Sequence, residues 1–305
     1  MSRFEPFLKP CLHEQTIKIV EGESYLDGIV NLEVSPTGKC NANCSWCFYR
    51  GEKTGDELDF EQFKEFVYWL DPGPKAISWT GGGEPSLHPQ FKEMVDWTNE
   101  KGFKQGIFTN GMAQINYDPS KMEWIRISFT HLLDQLDHKI SNNMRKLRKC
   151  KTVGIAVNYD GVNDEPIYKA LKIADKYNFD YVQVRPILNT KGETTDIEPP
   201  NIKHRKLIIT DYKFDEARKK HEYDNCYGHG LCPFVWENGD VDVCGYMRGI
   251  EGYNLGNISN PEKTSMNYHK MHRVPVCSTC QVCCKNHETN KLINKLIKIK
   301  DKDFV

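Results

Sequence analysis

The sequence predicts an α/β protein in which six strand–helix units form an open or partly closed barrel, followed by a small cysteine-rich region. Two observations carry this prediction. Strand-like and helix-like segments alternate between residues 28 and 190, a pattern typical of a mostly parallel sheet with helical crossovers. Of the 12 cysteines, ten fall into one group near residue 40 and a second set beyond residue 225.

The individual elements follow from the spacing of apolar residues. Strands are predicted at residues 28–35, 75–80, 105–109, 124–129, 152–158 and 181–188. Asp59 is the expected N-cap of a helix whose apolar face includes Phe63, Phe66, Val67 and Leu70. Further helices are predicted at residues 89–101, 133–147 and 163–177.

The predicted domain organisation has four parts. Residues 1–27 are an N-terminal extension, 28–190 the barrel, 191–225 a polar linker and 226–305 a cysteine-rich C-terminal domain. That domain is expected to begin with a hairpin that turns at residues 237–240. It is expected to end in an amphipathic helix over residues 290–302, with Leu292, Ile293, Leu296 and Ile297 on its apolar face.

Composition and charge exclude several functional classes. The 305 residues carry 41 Lys and Arg against 42 Asp and Glu, a net charge of −1, whereas nucleic-acid binders usually show a basic excess. The first residues lack the layout of a signal peptide, and no stretch approaches the ~20 apolar residues of a membrane span. We therefore expect a cytoplasmic protein without membrane or nucleic-acid partners, in which clustered cysteines bind metal rather than form disulfides.

The first cysteine group lies directly after the first predicted strand. Cys40, Cys44 and Cys47 have the spacing C-x3-C-x2-C. Structural zinc sites nearly always have four protein ligands, and iron–sulfur clusters usually take four cysteines. A trio therefore suggests a [4Fe–4S] cluster with one open iron. The alternative is a zinc site completed by His88 or by a C-terminal cysteine.

Two motifs together carry a family resemblance. The trio, with Trp46 before its last cysteine, resembles the signature of the radical S-adenosylmethionine (radical SAM) enzymes. The run from Thr80 to Pro85, TGGGEP, resembles the glycine-rich motif of the same family. The resemblance covers about residues 28–190 and implies a partial (β/α)6 TIM-like barrel with its cluster at the carboxyl ends of the strands.

The resemblance also implies the chemistry and the cofactors. Cys40, Cys44 and Cys47 would bind the [4Fe–4S] cluster, whose open iron chelates SAM. One electron then cleaves SAM, and the 5′-deoxyadenosyl radical abstracts a hydrogen atom from the substrate, while the protein orients the reactants and excludes solvent. An electron donor such as flavodoxin or ferredoxin is implied.

A further set of residues is expected to bind SAM by the same resemblance. They are Trp46, Gly82, Gly83, Glu84, Ser128 and Arg185. The three residues of the glycine-rich motif would meet the methionine end, the tryptophan the adenine and the serine the ribose. The arginine would reach the SAM carboxylate or the substrate, unless it is a surface residue.

The second cysteine set resembles an auxiliary-cluster domain. Cys226 and Cys244 flank Gly239 in a C-x12-G-x4-C spacing, followed by a CxxC pair, which is similar to SPASM or twitch domains. The full set is Cys226, Cys232, Cys244, Cys277, Cys280, Cys283 and Cys284. Seven thiols allow one auxiliary [4Fe–4S] cluster, or two if one has an open iron that His229 or His287 could complete.

For a single auxiliary cluster, the preferred ligands are Cys226, Cys232 and Cys244 with one of the later cysteines. The alternative is a zinc-stabilised structural module. The resemblance does not determine which substrate is used or which reaction is catalysed.

Oxidation or epimerisation of a small sugar-like or aminocyclitol-like molecule is the favoured reaction, because some 27 residues before the first strand are too few for a leader-binding domain. A SPASM-type peptide maturase is the first alternative. A zinc-stapled, non-enzymatic binding protein is the second. For an epimerase, Cys232 or a later cysteine is the candidate hydrogen-atom donor.

Overall fold

A computed structural model of the protein describes most of the chain. The described residues are 14–22, 28–47, 49, 54–130, 133, 137–187, 197–209, 214, 221–271, 273–276 and 286–299. Cys277, Cys280, Cys283 and Cys284, all predicted ligands of an auxiliary cluster, lie outside these ranges.

Seven parallel strands form the barrel part of the sheet, in chain order. They are β1 (Leu32–Val34), β2 (Ala76–Trp79), β3 (Lys104–Thr109), β4 (Trp124–Ser128), β5 (Val153–Tyr159), β6 (Tyr181–Pro186) and β7 (Leu207–Ile209). The mostly parallel α/β architecture predicted from the sequence is confirmed. All six predicted barrel strands are present, each within a few residues of its expected bounds.

β7 is a strand that the sequence pattern did not predict. It pairs in parallel with β6 inside the segment expected to be a polar linker. The apolar run of Leu207, Ile208 and Ile209 is only three residues long, which is too short for a two-residue alternation to be recognised. Pairing with the edge of β6 makes it a strand.

Seven α-helices lie wholly within the described ranges. They are α1 (Glu14–Glu21), α2 (Phe60–Trp69), α3 (Phe91–Glu100), α4 (His138–Leu147), α5 (Glu165–Lys176), α6 (Pro261–Lys270) and α7 (His287–Leu296). The carboxylate of Asp59 caps α2 by accepting a hydrogen bond from the Gln62 amide at 3.0 Å, as predicted. No helix within these ranges is both long enough and apolar enough to cross a bilayer.

The cysteine-rich region continues the same sheet. It contributes β8 (Asn225–Cys226), β9 (Phe234–Val235), β10 (Asp240–Asp242), β11 (Asn254–Asn257) and β12 (Val274–Pro275). The predicted hairpin is β9–β10, and β9 pairs in parallel with β1. The strand order is therefore β11-β10-β9-β1-β2-β3-β4-β5-β6-β7, while β8 and β12 form a separate pair. Because β9 is parallel to β1, both strands deliver their following residues to the same edge.

The two faces of the sheet differ in polarity. Ile125, Ile127 and Ile155 are fully buried on the face covered by helices. The alternate positions, including Arg126 and Ser128, are half-buried and polar. Since neighbouring residues of a strand point to opposite faces, one face forms the core and the other lines the inside of the barrel.

The end of the chain departs from the expected amphipathic pattern. In α7 the buried side chains include His287, Asn290 and Ile293, whereas Ile297 is 44% exposed. Only one member of the predicted apolar face is therefore buried. The polar side is buried instead, because Asn290 accepts a hydrogen bond from the Tyr227 amide at 2.8 Å.

The Asp59 cap gives a test of the local structure. We expect Asp59→Ala to lower the free energy of unfolding by about 1 kcal/mol, because an amide of the first turn loses its acceptor. Asp59→Asn keeps an acceptor and should stay close to the wild type. Urea unfolding of both variants measures this, and equal losses would show that the cap does not stabilise α2.

Candidate active site

The loop that follows β1 carries the first three cysteines. Cys40, Cys44 and Cys47 are each half-buried. The Cys47 amide donates to the Cys44 carbonyl at 3.2 Å, and the Ala42 amide donates to the Cys40 sulfur at 3.4 Å. The donor set thus consists of three accessible sulfurs on one short loop at the carboxyl edge of the sheet, which suits a cluster held by three cysteines.

The alternative zinc site named His88 as a fourth ligand, and the ring of this residue has protein partners of its own. Its Nε2 lies 3.1 Å from the Leu58 carbonyl oxygen, and its Nδ1 accepts from the Gln90 amide at 3.1 Å. The alternative in which a C-terminal cysteine completes a zinc site stays open.

The glycine-rich loop packs its backbone against the cysteine loop. A Cβ on Gly83 would overlap with the carbonyl oxygens of Thr37 and Lys39. The next amide, of Glu84, donates to the Lys39 carbonyl at 2.8 Å. Glycine is required here because the two backbones touch. This contact holds the methionine-binding motif predicted from the sequence directly beside Cys40.

Gly82 has a different environment. Its amide lies 3.2 Å from the Ser35 hydroxyl oxygen, which accepts the hydrogen bond. A Cβ at this position would lie 3.7 Å from the nearest atom, Oε2 of Glu237, an ordinary contact. Gly83 therefore has no room for a side chain, whereas Gly82 has room for a methyl group.

Glu84 uses its side chain to tie the glycine loop to β3. It is 2% exposed. Its Oε1 accepts from the hydroxyls of Ser86 at 2.5 Å and Thr109 at 2.7 Å, and its Oε2 accepts from the Asn110 amide at 2.6 Å. Burial raises the pKa of this carboxyl, and the hydrogen bonds oppose that shift. Its predicted contact with a ligand stays a prediction, and its carboxylate acts here as a positioning group.

Asn110 is a site residue that belongs to none of the sequence motifs. Its side-chain amide donates to Asn41 Oδ1 at 2.7 Å, which joins the end of β3 to the cysteine loop. The sequence feature that could have indicated a role for this residue is its position at the carboxyl end of a predicted strand, where parallel sheets place functional groups.

The remaining predicted SAM contacts also lie at this edge of the sheet. Trp46 is half-buried on the cysteine loop, and Ser128 ends β4. Arg185, near the end of β6, donates its Nε–H to Asn158 Oδ1 at 2.8 Å. Arg185 is half-buried with a neighbour on β5, so it is not an isolated surface arginine.

The C-terminal region braces the cysteine loop from the other side. Glu237, 1% exposed, accepts from the Thr54 hydroxyl at 3.2 Å and pairs with Arg248 at 2.9 Å. The Tyr49 hydroxyl donates to the Gly245 carbonyl at 3.1 Å. No motif marked Glu237 or Arg248, because their importance depends on the pairing of β9 with β1.

Two of the later cysteines share a small apolar cavity. Its lining consists of Tyr223, Cys226, Val243, Cys244, Met247, Tyr253, Val274, Val276, Asn286 and Asn290. The Cys226 sulfur accepts from the Gly228 amide at 3.2 Å and from Asn290 Nδ2 at 3.1 Å. N–H donors aimed at a sulfur suit a thiolate ligand, so this donor set fits an auxiliary cluster.

Cys232 lies away from the cysteine loop. It precedes β9 and is level with Asn31, whose Nδ2 donates to its sulfur at 3.1 Å. It is 4% exposed and lies at the amino edge of the sheet, opposite the edge that carries Cys40. This position argues against the predicted hydrogen-atom donor at the barrel mouth. The prediction that Cys232 is a cluster ligand stays open.

The two histidines considered as auxiliary ligands are both buried. The His229 ring nitrogen Nε2 contacts the Met271 carbonyl oxygen. Nδ1 of His287 lies 3.1 Å from the Tyr223 hydroxyl. Both rings thus have protein neighbours.

Comparison with known proteins identifies relatives over the barrel. Residues 34–184 match the family model of the Radical SAM superfamily. The chain is 36% identical over 78 residues to a tungsten-containing aldehyde ferredoxin oxidoreductase cofactor-modifying protein of Pyrococcus furiosus. It is 37% identical over 89 residues to an S-adenosylmethionine-dependent nucleotide dehydratase of Selenomonas ruminantium. These matches span 25% and 28% of this chain and only 22% and 31% of the two relatives.

Solved structures show the same fold over more of the chain. SuiB of Streptococcus suis bound to its precursor peptide SuiA superposes with a TM-score of 0.61 at 14% identity, covering 83% of this chain and 67% of SuiB. The structure of anSMEcpe with bound AdoMet gives a TM-score of 0.54 at 16% identity, covering 87% of this chain and 83% of anSMEcpe. At these identities the likeness concerns the fold.

The contrast between Gly82 and Gly83 yields a prediction. We expect Gly83→Ala to displace the cysteine loop and to reduce the iron bound after anaerobic reconstitution severalfold, because its methyl group overlaps two backbone carbonyls. The matched control, Gly82→Ala, has room for the methyl group and should keep both the fold and the iron content. Equal iron binding by the two variants would contradict the packing argument.

Proposed function

Since this chain belongs to the radical SAM superfamily, we propose that Cys40, Cys44 and Cys47 hold a [4Fe–4S] cluster at which S-adenosylmethionine is cleaved reductively. When bound, this cofactor pair supplies a radical that removes a hydrogen atom from the substrate. The donor is a one-electron reductant such as flavodoxin or ferredoxin. The chain's own residues bind, orient and enclose the reactants.

One observation carries the proposal: the three-thiol loop and the glycine-rich loop are joined backbone to backbone. The Glu84 amide donates to the Lys39 carbonyl at 2.8 Å, and Gly83 touches residues 37–39. The two motifs are thereby held together at the carboxyl edge, where parallel α/β folds bind ligands. A ligand that bridges the loops meets sulfur donors on one side and peptide backbone on the other.

The residues around the loops orient a bound nucleotide in this proposal. Trp46 offers an aromatic surface, and Ser128 offers a hydroxyl on the inner face of the barrel. Arg185, steadied by Asn158 at 2.8 Å, offers a cation that suits a carboxylate. Gly82, whose amide bonds to Ser35, adds no side chain of its own to the approach to the loop.

For the substrate, we propose a small polar molecule that is oxidised or epimerised. Hydroxyl and amide groups of Ser128, Asn158 and Gln183 alternate with buried apolar positions on β4, β5 and β6. Such an inner face offers hydrogen bonds of the kind that sugar-like or aminocyclitol-like molecules need. The second candidate is modification of a peptide, which the fold shared with SuiB, solved with its precursor peptide, favours.

We also propose an auxiliary [4Fe–4S] cluster held by Cys226, Cys244, Cys232 and one of the later cysteines. Cys226 and Cys244 line one cavity, and the Cys226 sulfur has two N–H donors. Gly245, next to Cys244, accepts the Tyr49 hydrogen bond. That contact connects the two cysteine regions.

The central prediction concerns the first cysteine group. Anaerobically reconstituted wild type, with dithionite and SAM, should release 5′-deoxyadenosine, and the Cys40→Ala/Cys44→Ala/Cys47→Ala variant should release none. That variant should also lose about four iron atoms per chain, because one cluster has lost all its protein ligands. Liquid chromatography of the nucleoside and iron and sulfide quantitation measure these outcomes.

Cys150→Ala is the matched control for the triple variant. Cys150 is a buried free cysteine outside both groups, and burial raises the pKa of its thiol to about 11. Such a neutral thiol is a poor ligand, so its loss should leave iron content and 5′-deoxyadenosine release unchanged. Release of 5′-deoxyadenosine by the triple variant would refute the proposed site.

The auxiliary cluster has its own test. Cys226→Ala/Cys244→Ala should lower the iron content by about four per chain while 5′-deoxyadenosine release in the absence of substrate persists. Electron paramagnetic resonance of the reduced samples separates the two clusters. An iron content equal to that of the wild type would show that these cysteines bind no cluster.

A further inference from the structure

Arg126 lies on the inner face of the barrel, in the middle of β4. Its neighbours along the strand, Ile125 and Ile127, are fully buried on the opposite face, whereas Arg126 is half-buried. It pairs in register with Phe108 on β3 and with Gly154 on β5. Its guanidinium is therefore carried inside the barrel, below the carboxyl edge where the cysteine loop begins.

Aromatic side chains hold this guanidinium in place. It lies 5.1 Å from the centre of the Phe108 ring and 5.8 Å from that of Trp124. Its Nε–H donates to the Tyr181 hydroxyl at 3.3 Å. The Tyr181 ring lies where a side chain on Gly154 would be. A cation positioned by aromatic rings is fixed before any ligand arrives.

The charge of Arg126 is not matched by a carboxylate. Within the described part of the chain it forms no ion pair, and of its guanidinium N–H groups only Nε–H makes a hydrogen bond. On the same face, Glu33 lies on β1, three strands away, whereas Lys104 on β3 and Arg185 on β6 are cations. The β4–β6 part of the inner face is therefore positive.

We propose that Arg126 binds an anionic group of the substrate, a carboxylate or a phosphate. The planar guanidinium presents parallel N–H donors that match two oxygens of either group. The inference rests on the proposed function, because it assigns a substrate class to the same site.

The residues above Arg126 leave room for the rest of the substrate. The next inner-face row is formed by Ser128, Ala156 and Gln183, and the row above it by Asn158 and Arg185. The Arg126 and Arg185 rows are four residues apart along β5, about 13 Å at the usual rise per residue. An anion anchored at Arg126 thus lets the substrate extend towards the cysteine loop.

The experiment measures anion binding and SAM binding separately. Titration calorimetry on the anaerobically reconstituted protein would use inorganic pyrophosphate and succinate as probes, with SAM as a third ligand. We expect one of the two anions to bind, and Arg126→Met to weaken it at least about tenfold, since the charged hydrogen bonds are lost. SAM affinity and substrate-free 5′-deoxyadenosine release should not change. The anion that responds identifies the phosphate or the carboxylate class.

Arg145→Met controls for general surface electrostatics. Arg145 lies on the exposed side of α4, where it bonds to Asn142 at 3.0 Å, so its removal should leave anion affinity unchanged. Binding of neither probe to the wild type, or equal anion affinity in Arg126→Met and the wild type, overturns the inference. A protein that binds the anion through Arg126 but releases no 5′-deoxyadenosine would support this inference while refuting the proposed function.

Discussion

The contact between the backbone of Gly83 and the segment Thr37–Lys39 is the constraint on which the candidate site depends. No side chain fits between these two loops, so their separation is set by the peptide groups themselves. The hydrogen bond from the Glu84 amide to Lys39 then fixes the register of the loops. Because protein interiors are close-packed, a change of one methyl group at this point would be felt by the cysteines that follow.

The buried carboxylate of Glu84 extends this constraint to a third strand. It takes hydrogen bonds from Ser86, Thr109 and Asn110, and Asn110 in turn bonds to Asn41 in the cysteine loop. A closed ring of contacts therefore joins the ends of β1, β2 and β3. A carboxylate that lacked these donors would be costly to bury, so the arrangement is stable only when all its members are in place.

The cysteine-rich region takes part in the same edge of the sheet. The pairing of β9 with β1 places Glu237 beside Gly82, and Tyr49 bonds to Gly245 next to Cys244. The same parallel pairing sends Cys232 to the opposite edge, and the antiparallel pairing of β9 with β10 brings the chain after Asp242, which includes Cys244, back towards it. The two cysteine groups are thus coupled mechanically through one sheet, although they are far apart in the sequence.

Local patterns in the sequence were enough to predict the strand–helix alternation, the Asp59 cap and the three-cysteine and glycine-rich motifs, because each depends on residues a few positions apart. Features that depend on contacts between distant segments of the chain were decided by the tertiary structure alone. It paired Leu207–Ile209 with β6 as a strand and buried the polar side of α7. It also placed Cys232 at the amino edge of the sheet, beside Asn31. It also surrounded the Glu84 carboxylate with donors that lie up to 26 positions away. These outcomes depend on which strands become neighbours, and no short window of sequence contains that information.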